Sequence, residues 1–366
     1  RNVLGRLQIN ESQAGQIVVV GAHIDHLGTG PSGNSLARGD EQSQIHFGAD
    51  DNASGVSAML QIAEAMARAK DEGKLHGQRD IVFAAWSGEE LGLLGSSHYV
   101  KTLETMFSQH AAAVDPAETN GDPEDAEDDS SEKKSDDISG PNTGGLNLYV
   151  AACLNMDMVG RLQEKLVLQG IGSSTAWQKI VEQANVPLGL SLTLQNDSYL
   201  PTDASSFFLH GVPILSAFTG NHSEYHTPRD TPEKLNYEGI AHIANLMSLV
   251  CRQLIAAERS PVYVAQAPQK DGQRRASLRA YLGTIPDYAQ TDVKGVMLSG
   301  VSKGGPADVA GVKGGDVIVK LAGKSVQNIY DYTYAIEALK SGQETELSVL
   351  RDGKEIVLKV IPGSRD

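Results

Sequence analysis

Cysteine is scarce, long apolar runs are absent, and positive charge is in short supply in this 366-residue chain. The two cysteines, Cys153 and Cys251, stand in apolar surroundings, one strand-like and one helical, and read as buried free thiols rather than a bridge. Two such residues do not decide a redox compartment. No apolar run approaches the roughly 18–20 residues of a membrane-spanning helix. Lys and Arg number 31 against 46 Asp and Glu, a net charge of −15. That balance excludes the basic footprint of a general nucleic-acid binder and a surface drawn to anionic lipid by charge. The chain opens at Arg1 without a methionine and enters strand-like sequence at Val3–Ile9. No secretory leader is visible, but a chain opening this way reads as processed, so the absence does not argue against export.

What is present is enough apolar residue, 40%, for a sizeable core, and a length that suits two domains. The acidity is concentrated: residues 115–145 hold eleven acids and two bases, −9 in 31 residues, leaving −6 for the other 335. That segment has no aromatic residue and little aliphatic surface to offset ordering entropy, so it is expected to be a disordered insertion. It also lacks the Asp-x-Asp-x-Asp-Gly loop with a distal Glu that a calcium site of that type needs.

Over residues 1–258 short buried strands alternate with amphipathic helices. Gln16–Ala22, Arg79–Trp86, Leu146–Met156 and Val212–Phe218 read as strands, and Ser54–Ala69 reads as a helix with Val56, Met59, Leu60, Ala63 and Ala67 on one face. Thr231-Pro232 reads as the cap and first turn of a long helix. The pattern predicts an α/β fold with a mixed, largely parallel sheet sandwiched by helices. Residues 259–276 suit a linker, and 277–366 form a small Gly-rich unit of short strands and turns.

Five short motifs carry chemistry, and each alone has a bland reading. His23-Ile24-Asp25 follows the first buried strand and could be a plain hydrogen-bonded pair. In Gly48–Gly55, an acidic, Gly-flanked turn at the start of a helix, Asp51, Asn52 or Ser54 could simply cap that helix. Glu89-Glu90 could be a solvated helix start, favoured by the dipole. Asp157 ends an apolar strand, where a carboxylate without a partner is costly. His222-Ser223-Glu224-Tyr225-His226 follows the strand at 212–218. Taken together, His23, Glu89/Glu90, Asp157 and His226 each follow a strand at the carboxyl end, where open α/β sheets bind ligands. Two imidazoles and several carboxylates without a thiolate suit Zn²⁺ first, with Mn²⁺ or Co²⁺ as substitutes. Five ligands with one shared carboxylate are more than a single tetrahedral site needs, which points to two metals, and a surplus glutamate is a natural general base.

The segments GAHIDHLG, GADDNASG, WSGEELGLLGS, NMDMVGR and EYHTPRDT, in this order and spacing, resemble the two-zinc aminopeptidase family, peptidase family M28. The resemblance covers roughly residues 3–256. It implies the zinc-exopeptidase fold, with Asp51 bridging two zinc ions, His23 and Asp157 on one and Glu90 and His226 on the other. It implies Glu89 as the general base acting on a water held between the metals, and a cis peptide after Asp51. Asp25 would accept the second ring N–H of His23 and fix its tautomer. Tyr225 would stabilise the oxyanion. His26, Asp203 and His222 are expected in the cleft, with structural roles equally open for each. The implied activity is removal of N-terminal residues from peptides; carboxypeptidase or glutaminyl cyclase chemistry on the same fold, or an inactive scaffold, are the alternatives. Members of this type imply a periplasmic or secreted location.

Residues 277–366 resemble a bacterial PDZ domain of the kind found in high-temperature-requirement proteases. The segments that carry this are Tyr281-Leu282-Gly283-Thr284, Gly304-Gly305-Pro306-Ala307, Gly315-Asp316-Val317-Ile318 and Gly323-Lys324-Ser325-Val326. The backbone N–H groups of Tyr281, Leu282, Gly283 and Thr284 would cradle a peptide C-terminal carboxylate, with a helix around Asp331–Leu339 as the groove's other wall. The expected partners are therefore peptide substrates in the first unit and peptide or protein C-termini in the second.

Overall fold

The structure, a computed structural model, describes residues 1–9, 15–29, 35–37, 39–113, 145–265, 280–286, 293–327, 331–332, 335–336 and 339–364. The reading of the acidic insertion falls on residues outside this set, as does most of the linker reading.

Elements of the first unit run β1 (Val3–Leu7), β2 (Ile17–His23), a short pair β3 (Gly28–Thr29) and β4 (Ile45–His46), α1 (Gly55–Asp71), β5 (Asp80–Trp86), α2 (Leu94–Ala113), β6 (Val150–Met156), β7 (Leu166–Gln169), α3 (Trp177–Asn185), β8 (Leu192–Leu194), α4 (Asp203–Phe208), β9 (Ile214–Phe218) and α5 (Tyr237–Ala256). Seven strands make one sheet in the order β1-β5-β2-β6-β9-β7-β8. The central four, β5, β2, β6 and β9, are parallel, while β1 and the β7–β9 pairing are antiparallel. This is the mixed, largely parallel α/β sheet that the alternation of strands and helices predicts.

Successive residues of a strand point to opposite faces, and β2 uses both. Val18 and Val20 pack with residues of α1, α3 and α5, whereas Val19 packs with residues of α2 and α4. The run of β-branched residues is buried on both sides, which is why it shows no polar alternation. Gly21 is fixed by packing: a Cβ there would lie 2.4 Å from Nε1 of Trp86, which is wholly buried.

The structure corrects four local readings. The buried face of α1 is Ala58, Met59, Ile62, Met66 and Ala69, and Leu60 is 59% exposed. Met59 and Leu60 are about 100° apart on the helix, so only one can face the sheet. Residues Leu146–Leu148 form a short 3₁₀ turn ahead of β6 rather than strand. Pro232 heads a 3₁₀ turn that stops at Leu235, and α5 begins later, capped by the Asn236 side chain accepting the Gly239 N–H at 2.8 Å. Finally, α5 is long and apolar enough by composition to cross a membrane. It is instead the central helix of one layer, with Ile243, Met247, Val250 and Leu254 at most 1% exposed.

The second unit comprises β10 (Ala280–Tyr281), β11 (Thr284–Pro286), β12 (Val296–Val301), α6 (Pro306–Val309), β13 (Val317–Leu321), β14 (Lys324–Ser325), β15 (Thr345–Arg351), β16 (Lys354–Val360) and β17 (Gly363–Ser364). It has its own core, built on Leu282, Leu298, Ile318, Leu321, Leu347 and Val349. Within it Asp316, 1% exposed, receives a forked pair of bonds from Arg351, both 2.7 Å, and the Lys313 N–H at 2.9 Å. Burial pushes the Asp316 carboxyl up, but these bonds outweigh it and hold it below its ordinary value.

Candidate active site

Four loops leave the carboxyl ends of β2, β5, β6 and β9, and a fifth enters α1. They bring His23, Glu89/Glu90, Asp157, His226 and Asp51 to one edge of the sheet. His23 is the last residue of β2, paired with Trp86 of β5, so its position is set by the ladder itself. Its Nε2 lies 3.2 Å from Asp51 Oδ1 and 3.4 Å from Asp157 Oδ1. The other Asp51 oxygen faces His226, 3.1 Å from Nε2, which also lies 3.2 Å from Glu90 Oε2. Asp51 thus sits between two imidazoles. The peptide bond from Asp51 to Asn52 is cis. The Asn52 side chain ties this loop to the β6 end, donating to Met156 O at 3.0 Å and accepting the Met158 N–H at 3.2 Å.

His23, Asp51, Glu90 and His226 are buried, while Glu89 and Asp157 are partly exposed toward the cleft. The two sets His23–Asp51–Asp157 and His26–Asp51–Glu90 each offer ligand atoms within 4.8 Å of one another. A cleft of about 510 Å³ opens beside them, reached by Glu89 and Tyr225 and walled by Met158 and Phe218. The Tyr225 ring stacks on His226 with centroids 3.8 Å apart.

Crowding sets the charges. Burial raises the Glu89 carboxyl well above the ordinary range, with His23 opposing and Glu90 and Asp157 adding to the rise. Asp157 is raised by burial against the pull of His23. Burial also pushes Asp51 up, but hydrogen bonds from His226 and His23 overcome it and hold the carboxyl well below its usual value. For His226, burial lowers the imidazole, and the carboxylates of Glu90 and Asp51 more than reverse that, to about 10. His23 is likewise raised, the charges of Glu89 and Asp157 outweighing burial. Positive charge at these two rings is what the surrounding acids demand in place of another cation.

The remaining sequence candidates divide. Asp25 is corrected: the His23 Nδ1 donates to the backbone carbonyl of Asp25 at 3.1 Å, not to its carboxylate. That carboxylate instead accepts the N–H groups of Glu89 and Glu90, at 3.1 and 3.3 Å. His26 is inside the cluster, its Nδ1 2.9 Å from Glu90 Oε1 and 3.8 Å from Asp51 Oδ2. Asp203 is 1% exposed at the start of α4, pushed up to about 7 chiefly by burial. His222 stands behind the Asp51 loop, 3.1 Å from Asp50 and 3.3 Å from Glu224, and does not line the cleft. Three residues that the motifs contain, but to which sequence reasoning gives no role, support this loop: Asp50, Arg161 and Asp230. In the second unit Leu282 is buried, Gly283 takes a left-handed φ of 74°, and the Gly283 carbonyl accepts the Ser302 N–H at 2.7 Å. Of the helix expected at Asp331–Leu339, residues 331–332 and 335–336 are helical and the rest lies outside the described residues, apart from Leu339.

The fold and the clustered donors define an α/β chain with a mixed imidazole–carboxylate site at its sheet edge. The model of peptidase family M28 matches residues 2–251, and a PDZ-domain model matches residues 271–361. The chain belongs to peptidase family M28 and carries a PDZ domain after it. It is similar to Aminopeptidase YwaD of Bacillus subtilis, 25% identical over 276 residues, which are 71% of this chain and 46% of that protein. Its last part is similar to a probable periplasmic serine endoprotease, DegP-like, of Ectopseudomonas mendocina, 39% identical over 95 residues, 24% of this chain and 20% of that one. The chain spans less than half the length of these curated relatives. Among solved structures it resembles BSAP, a zinc aminopeptidase from Bacillus subtilis, with 23% identity, a TM-score of 0.48, and coverage of 72% of this chain and 52% of that one.

Proposed function

We propose that the protein is a zinc-dependent aminopeptidase that holds two metal ions across Asp51 and uses its PDZ domain to bind peptide or protein C-termini. The observation that carries this is the placement of Asp51, with one oxygen 3.2 Å from His23 and the other 3.1 Å from His226. The donor set fits the group: imidazole and carboxylate atoms, no thiolate, gathered within 4.8 Å of one another in each set. His23, Asp51 and Asp157 would hold one ion, and Asp51, Glu90 and His226 the other. When bound, the ions supply Lewis-acid polarisation of the scissile carbonyl and acidify the attacking water.

The chain's own residues then handle the protons. Glu89 reaches the cleft but makes none of the close contacts that bind Asp51 to the two histidines. Its carboxyl, raised well above the ordinary range, takes a proton as water attacks the carbonyl carbon, and returns it to the leaving amine as the C–N bond breaks. Tyr225 stands over the same cleft and would donate to the oxygen that gains negative charge. Asp25 accepts the Glu89 and Glu90 N–H groups and so fixes the backbone of the turn that presents the base.

Glu89→Gln should leave the fold and zinc content intact and lower kcat by about 10²–10⁴-fold. Peptides with free, blocked and N-terminal Gln ends, assayed side by side, test the direction of action; hydrolysis of blocked peptides at equal rates would sink the aminopeptidase reading. For location we place the protein outside the cytoplasm, in line with the periplasmic description of the relatives that share its PDZ domain. Cell fractionation tests this.

A further inference from the structure

Asp230 comes from the last motif, 180 positions from Asp50, and is 0% exposed. Its Oδ2 accepts two successive backbone N–H groups, from Asp50 at 2.8 Å and from Asp51 at 3.1 Å. Its Oδ1 accepts Nη2 of Arg161 at 3.1 Å, and its backbone carbonyl accepts the Ala49 N–H at 3.3 Å. One residue therefore satisfies three consecutive donors of the loop that presents Asp51. On the loop's other side Asp50 Oδ1 accepts the Gly160 N–H at 2.6 Å and the Ser54 hydroxyl at 2.9 Å. The loop has no slack at its start either: Gly48 is left-handed, φ 60°, and a Cβ there would meet the Asp51 carbonyl at 2.4 Å.

A neutral acceptor would satisfy two N–H groups without burying another negative charge beside Asp50 and Asp51. The choice of a carboxylate, matched by one guanidinium, has a different consequence. It fixes the backbone at Asp51 in direction as well as place. We infer that Asp230, braced by Arg161, is the positioning residue for Asp51, holding its two carboxylate oxygens between His23 and His226 in the arrangement that accepts metal. This rests on the reading of Asp51 as a metal ligand.

The two singly substituted chains and their combination test it, with zinc affinity of the full chain read by competition against a chromophoric chelator. Fold is followed by circular dichroism and by melting in excess EDTA. Asp230→Asn offers one oxygen and one NH₂ group. If its oxygen faces the loop, its NH₂ opposes Arg161; if it is reversed, the loop donors lose their acceptor. Asp230→Asn should keep the fold and weaken zinc binding by roughly 10–100-fold. Adding Arg161→Leu removes the conflict, so the double variant should regain about 10-fold over Asp230→Asn. Charge alone also predicts that regain, because the double variant loses the Arg161 cation, so Arg161→Leu separates the two: charge alone raises its zinc affinity above the parent, whereas loss of the brace lowers it several-fold. Zinc affinity of Asp230→Asn within about twofold of the parent overturns the inference, as does a double variant no tighter than the single one. Should Asp230→Asn fail to fold, Arg161→Leu decides: affinity falls several-fold if Asp230 has lost its brace, and an unchanged or raised value overturns the proposal. A parent chain that binds no zinc would instead refute the reading of the site.

Discussion

Asp316 in the PDZ domain and Asp51 in the peptidase unit are almost equally hidden, 1% and 3% exposed, yet their surroundings differ in kind. Asp316 meets a permanent cation: Arg351 grips both its oxygens, and a backbone N–H completes its shell. Asp51 meets the imidazoles of His23 and His226, with the acids Glu89, Glu90 and Asp157 close by. The first arrangement closes its own charge balance and asks for nothing further. The second depends on protons or on an added cation, and so is tied to solution conditions. A buried carboxylate marks function not by its depth but by the lack of a fixed counter-charge.

Removing metal should therefore break the peptidase unit and spare the PDZ domain. Dialysis against a strong chelator is expected to abolish hydrolysis, with recovery on adding zinc. It should also lower the first unit's stability by about 2.7 kcal/mol for each site that zinc at a hundredfold excess over Kd had filled. Calorimetry would show the PDZ transition unmoved. Arg351→Met does the converse: it leaves Asp316 with the Lys313 N–H but no cation and should cost the PDZ domain about 3 kcal/mol, while leaving kcat on a short substrate unchanged.

A smaller effect separates the two sites by pH. Because Asp316 is held below its ordinary value, its stabilisation is complete above the unfolded carboxyl's pKa of about 3.9 and fades as pH falls toward the folded value. The melting gap between parent and Asp316→Asn should thus be level from neutral pH to about pH 5 and close in stronger acid. A gap that widened in acid would reverse the assigned direction. The smallest effect concerns the boundary between the units. Deleting residues 277–366 should change hydrolysis of a dipeptide-sized substrate by less than about twofold, since none of the described residues of that stretch lines the cleft. Capture of peptides with free C-termini should vanish with the deletion, and loss of short-substrate activity would show that the units are not independent.

How much of this was legible in the residues follows from what each feature depends on. The sheet and the approach of His23, Asp51, Glu90, Asp157 and His226 were readable because each lies one to a few residues beyond a buried strand or just before a helix. Chain direction then dictates the edge they share. The roles of Asp25 and Asp230 were not readable, because both act on backbone N–H groups, which every residue carries and no motif advertises. The Asp25 carboxylate bonds the turn of Glu89 and Glu90, while its main-chain oxygen takes the His23 proton. The start of α5 was misplaced for a related reason: Pro232 opens a turn, but the cap that commits the chain to a helix is the Asn236 side chain. Leu60 shows the limit of periodicity, since a helix face one residue wider than the sheet contact fits the sequence equally well.

The ladder at the heart of the sheet has one more consequence. His23 pairs with Trp86, Gly21 with Asn155, and Met156 with Ala217. The candidate ligands are therefore spaced by strand pairing, about 4.8 Å per neighbouring strand. If β2 slipped by one residue, its tip would shift about 3.3 Å and turn to the opposite face, offering Ile24 or Ala22 in place of the imidazole. Circular dichroism hardly distinguishes such a slipped sheet from the native one. On the proposed reading of the site zinc would: metal bound per chain would count the molecules whose strands are in step, making the site a readout of folding fidelity as well as of catalysis.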